Sequence, residues 1–187
     1  MQADTLTGGF ANAPIDAAHA FRGAMNAMAR PGLICALDGA APPAPLSVAA
    51  GTLILTLCDP ETPLCLLGEF DVPALHDWIT FHTGAPMAAR GEAMFALGRW
   101  EDMIPLSDFP SGTPEYPDRS ATLIVETKTL SPDGAVLRGP GIKASAMLSL
   151  PEIAPFQQNA AAFPLGCDFF FTCCVRLAAL PRSTQVG

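Results

Sequence analysis

Phe163-Pro164-Leu165-Gly166-Cys167-Asp168-Phe169-Phe170-Phe171-Thr172-Cys173-Cys174 decides the fold. A Pro-Leu-Gly turn delivers the chain into an apolar, aromatic run too short for a helix, the pattern of a strand buried on both faces. Such a strand belongs in a sheet covered on both sides. After Val175-Arg176, the run Leu177 to Leu180 reads as its antiparallel neighbour, ending at Pro181. Arg182, Ser183 and Thr184 then cluster at a strand end, where a cation beside two hydroxyls suits either an anionic oxygen ligand or a solvated terminus.

Working outward, helices and apolar strands alternate. Asp16 to Arg30 carries Phe21, Met25 and Met28 at helical spacing, a predicted core face, and stops at Pro31-Gly32. Leu33 to Leu37 reads as a strand, and Pro45 to about Cys58 as an interior helix. A strand over Leu64 to Leu67 precedes a helix opened by Asp71 as cap with Pro73 in its first turn. Leu75, Trp78, Ile79 and His82 share a face of that helix. Strands follow at Met94 to Leu97 and Thr122 to Thr127, with Pro132-Asp133-Gly134 predicted to fold the latter back onto Ala135 to Leu137 as a hairpin. Pro151 to Ala162 is the last helix. The expectation is a three-layer α/β/α sandwich around a mixed sheet, one domain over residues 1–187.

Composition narrows the function classes. The net charge is −8, and the ten basic residues, eight Arg with Lys128 and Lys143, form no run, which argues against nucleic acid. No apolar stretch reaches the ~20 residues of a membrane span, and no secretory signal appears. Six cysteines without a C-x-x-C pair read as buried free thiols of a cytoplasmic protein. Charged residues make up 15% of the chain, below the ~25% of ordinary domains, which favours a subunit with permanent partners.

Gly139-Pro140-Gly141-Ile142-Lys143-Ala144 matches a dinucleotide fingerprint in form, but no helix follows directly, so a hairpin turn is the reading. No Walker loop is present. Lys128 and Lys143 read as surface lysines rather than Schiff-base lysines, so no cofactor is expected. The histidines lack metal-ligand spacing. His82, at a helix end beside Thr83, suits the carboxyl-end dipole, or a polar pocket as proton donor and hydroxyl ligand. Arg138 and Arg182 end strands. With Ser183 and Thr184 they would clasp a phosphate or phosphonate, unless they pair with acidic neighbours such as Asp168 or Asp59, the favoured reading.

Five stretches in order, Phe21-Arg22 through Met28 to Gly32, Thr56 to Pro63, Phe81 to Pro86, Leu137 to Ile142, and Phe163 to Cys174 followed by Leu177 to Val186, resemble the PhnH family of the bacterial carbon–phosphorus lyase system. The resemblance implies a compact version of the pyridoxal-phosphate-dependent transferase fold without the cofactor. It also implies partnership with PhnG, PhnI, PhnJ and PhnL in making ribose 1-phosphonate 5-triphosphate from MgATP and a phosphonate with release of adenine. In that scheme the nucleosidase chemistry falls to PhnI and the iron–sulfur chemistry to PhnJ. The expected role here is therefore accessory, with a homodimer when isolated. Arg22, His82, Thr83, Arg138, Arg182, Ser183 and Thr184 are the candidate ligand residues. The chain departs from the family pattern in a short C-terminus and in lacking a glycine-rich approach over residues 143–150. An independent enzyme using His82, Arg138 and Arg182, and a ligand-free scaffold, are the alternatives.

Overall fold

The structure, a computed structural model, describes residues 6–187. Strands β1 (Cys35–Ala36), β2 (Leu64–Leu66), β3 (Phe95–Gly98), β4 (Thr122–Glu126), β7 (Asp168–Cys173) and β8 (Arg176–Leu180) form one mixed sheet in the order β1-β8-β7-β4-β3-β2. The members β2, β3, β4 and β7 run parallel; β8 alone is reversed, and β1, antiparallel to β8, points again along the parallel strands. The Phe-rich run is the predicted interior strand: Ile124 and Ala179 flank Phe170 on either side. Its side chains alternate between two cores. Phe170 joins Ile124, Leu97 and Leu177 beneath helices α1 (Ala13–Ala29), α2 (Val48–Leu57) and α3 (Pro73–Thr83). Phe169 and Phe171 face the other way, where the Phe156 ring stacks on Trp100 at 4.6 Å and meets Phe169 edge-on at 5.0 Å.

The first layer follows from local sequence. The Ser47 hydroxyl caps α2 by accepting the Ala50 N–H, and the helix is interior because its residues are apolar on nearly every side. Gly84, at φ +71°, ends α3 in the left-handed region. Asp71 is not the cap expected: it accepts a 2.6 Å hydrogen bond from His76, and Val72 occupies the cap position. Helix α1 is correctly placed but turned. Ala20, Ala24 and Ala27 are buried while Phe21 and Met25 stand 48% and 52% exposed. Small side chains let α1 lie close on α2 and β8, so the bulky ones rotate outward.

The second layer contains α4 (Trp100–Met103), α5 (Ala154–Ala161) and a separate sheet in the order β6-β5-β9, formed by Ala146–Leu148, Ala135–Arg138 and Gln185–Val186. The hairpin expected from Thr122–Thr127 into Ala135–Leu137 therefore does not form. The edge of β4 offered to β5 by sequence is taken by β7, and β5 pairs instead with β6 and β9. Gly139-Pro140-Gly141 does turn the chain within the β5–β6 hairpin. Ile142 N–H donates to the Gly139 carbonyl, and Gly141 has φ +82°, the type II geometry.

Candidate functional site

Two edges of the main sheet carry polar side chains. At the amino edge, Asp168 opens β7 and Arg182 follows β8. The Asp168 carboxylate accepts from Arg182 Nη2 at 2.5 Å, from Nε at 3.2 Å and from the Arg182 backbone N–H at 2.8 Å. Nη1 donates to the Pro117 carbonyl at 2.6 Å. The pair is largely withdrawn from water, with side chains 14% and 24% exposed. Every nitrogen of this guanidinium already donates to a protein oxygen. The acidic partner anticipated as the alternative to a ligand is the one Arg182 has.

The neighbouring residues divide. Gly139 lies against the Ser183 carbonyl and Arg138 is in register with Gln185, so the two strand ends do meet. Arg138 is nevertheless exposed and Arg22 stands exposed on α1. Thr184 is 1% exposed and its hydroxyl has no hydrogen-bond partner among the described residues. His82 and Thr83 lie elsewhere, at the end of α3 beside β2. His82 Nε2 is 3.0 Å from the Leu6 carbonyl, and its ring meets Trp78 and Phe81 edge-on. The Thr83 hydroxyl donates to the Ile79 carbonyl and accepts the Ala85 N–H. Three strand spacings, about 14 Å, separate β2 from β7. The structure does not gather His82 and Arg182 into one pocket.

A polar cleft that sequence reading missed opens at the carboxyl edge, where open α/β sheets hold ligands. It has a volume of about 330 Å³ and is lined by Arg99, Trp100, Glu126, Thr127, Lys128 and Thr129. Arg99 leaves β3, donates to Glu69 at 2.7 Å and to the Glu126 carbonyl at 3.2 Å, and lies over the Phe70 ring. Glu126 is 5% exposed; its carboxylate accepts the Ser47 N–H at the start of α2. Burial pushes its pKa up, while hydrogen bonds from Ser47 and Thr172 and the charge of Arg99 pull it back. A signal was present: a glutamate closing the strand run Thr122-Leu-Ile-Val-Glu126, and an arginine directly after β3. Of the cleft's two cations, Arg99 is spent on Glu69, and Lys128 has no ion pair among the described residues.

Neither edge offers an activated thiol. Burial raises Cys58 to about 12 and Cys167 to about 11, and raises Cys35, Cys65 and Cys173 as well. No group of three or more His, Cys, Asp or Glu suited to a metal occurs among the described residues.

The model of the family described as bacterial phosphonate metabolism protein (PhnH) matches residues 8–187. The chain belongs to the PhnH family. A relative from Rhizobium meliloti (strain 1021) is 39% identical over 99% of this chain and 97% of its own length. It is called alpha-D-ribose 1-methylphosphonate 5-triphosphate synthase subunit PhnH. The five stretches that resemble PhnH in sequence meet along the amino edge. Met28, Leu57 and Ser183 line one groove there, Gly141 abuts the Ala29 carbonyl, and Gly84 abuts Pro60.

Proposed function

We propose that this chain is a subunit of the carbon–phosphorus lyase assembly in organic phosphonate catabolism. In this reading it works with PhnG, PhnI and PhnL to form α-D-ribose 1-methylphosphonate 5-triphosphate from MgATP and methylphosphonate with release of adenine. One observation carries the reading: end-to-end identity of 39% with a protein named as a subunit of that synthase. Its place is accessory. A saturated Arg182, a His82 held on a backbone carbonyl and thiols with raised pKa values all favour assembly over chemistry. Arg182 and Thr184 then serve the fold, while Arg22 and Arg138 serve the surface. The reading includes one domain, a cytoplasmic location, PhnJ among the partners, a homodimer in isolation and a compact transferase-like fold that uses no pyridoxal phosphate. No helix among the described residues is long and apolar enough to cross a membrane.

Adenine release from MgATP and methylphosphonate by the partner subunits, assayed with and without this chain, tests the reading. Release that depends on its addition is expected. Release indifferent to it, with the chain inactive alone, rejects the subunit role.

A further inference from the structure

Helix α1 carries an exposed row, Pro14, Ala18, Phe21, Met25 and half-buried Met28, spaced 4-3-4-3 along one flank. That spacing is the seam by which one helix receives another. Its inner side opens into a groove of about 520 Å³ between α1 and the first residues of three parallel strands, with Met25, Met28, Leu57, Phe95 and Phe170 among its lining. The Asp168 carboxylate also borders the groove but is neutralised by Arg182. Apolar surface of this shape fits a helix laid in a groove, and methionine side chains adapt to what they meet.

Charge identifies the occupant. The chain carries −8, yet the groove ends at a basic corner. Gly141 packs on the Ala29 carbonyl and on Pro31, and Gly139 on the Ser183 carbonyl, which brings Arg30, Arg138 and Lys143 to the same end. Arg22 runs along the outer rim of the seam. These four cations are exposed, and none has an ion pair among the described residues, whereas Arg90, Arg99 and Arg182 do. A second copy docking through the same face would offer these cations no free carboxylate from its groove, because Asp168 there is already paired with Arg182.

We infer that the groove beside α1 is the docking site for an amphipathic helix of a different subunit, one whose polar flank is acidic. The inference rests on the subunit reading above. Its test is coexpression of the full chain with PhnG, PhnI and PhnJ, followed by affinity copurification and native mass spectrometry at low and high salt. Met25→Glu should weaken capture at least about tenfold. The pair Arg30→Glu, Arg138→Glu should weaken it about tenfold at low salt and less at high salt, since exposed charges are screened. Arg176→Glu, the same kind of charge reversal at a single site on the opposite edge, should leave capture intact. All four positions are exposed, and the fold of each variant is to be checked by circular dichroism. Normal capture of both groove variants overturns the inference while the subunit reading stands. Failure of the wild-type chain to assemble removes the subunit reading and the docking site together. If Met25→Glu converts an isolated dimer into monomers, the occupant is a second copy and the inference is wrong.

Discussion

Replacing Arg182 by alanine should destabilise the fold before it affects any ligand. The substitution deletes two side-chain hydrogen bonds to Asp168 and the one to Pro117, and leaves the carboxylate with only the backbone N–H of residue 182. Breaking a fully buried pair costs about 3–5 kcal/mol. Because Asp168 retains 24% exposure, water recovers part of that, and about 3 kcal/mol is the expected loss. For a chain of this length that corresponds to a fall in Tm of about 6–12 °C. Urea denaturation with a double-mutant cycle is the assay. Asp168→Asn combined with Arg182→Met should cost less than the two single losses added, because neither charge is then left alone. A loss below about 1 kcal/mol for Arg182→Ala, together with abolished adenine release, would refute this reasoning and return Arg182 to the ligand.

Three further outcomes follow from particular atoms. Gly141→Ala should cost more than about 2 kcal/mol in urea, since φ is +82° and a Cβ would lie 2.0 Å from the Ala29 carbonyl oxygen. A near-neutral effect would mean that the turn does not press on α1. Glu126→Gln should stabilise the chain at pH 8, because its carbonyl oxygen can still accept the Ser47 N–H while the buried charge is gone. The folded pKa of Glu126 is raised, so its penalty is complete above that value and vanishes below the ordinary 4.5. The advantage of the variant, measured by denaturation from pH 8 down to pH 5, should shrink with acidification. Iodoacetamide at pH 8, followed by peptide mass spectrometry, should label exposed Cys174 first and reach buried Cys58 and Cys167 only after unfolding.

What the sequence disclosed was local. The strands over Phe169–Phe171 and Leu177–Leu180, the proline start and glycine stop of α3, and the Gly-Pro-Gly turn each declare themselves within a few residues. Pairing across distance was not legible. Pro132-Asp133-Gly134 has the composition of a hairpin, but nothing near it shows that β7 will claim the edge of β4. The inner face of α1 was obscured for another reason. Alanines at 20, 24 and 27 are less hydrophobic than Phe21 and Met25, and their burial depends on how closely α2 and β8 approach. The carboxyl-edge cleft likewise exists only once residues 69, 99 and 126 meet, a juxtaposition made by the parallel sheet. At the amino edge, Asp168 and Arg182 were both visible as chemistry, and geometry decided that they belong to each other.

The position of β7 between β4 and β8 also imposes a timetable on synthesis. Thr122 and its register partner Asp168 lie 46 positions apart, so β4 emerges with a bare edge, and the face that α5 covers is still open. Until the Phe-rich strand is translated, neither half of the core can close, and the nascent chain presents an open sheet edge to its surroundings. Chaperone dependence during expression should therefore be set by the stretch between β4 and β7, and a ribosome stalled within it would hold a chain prone to pair with the wrong strand.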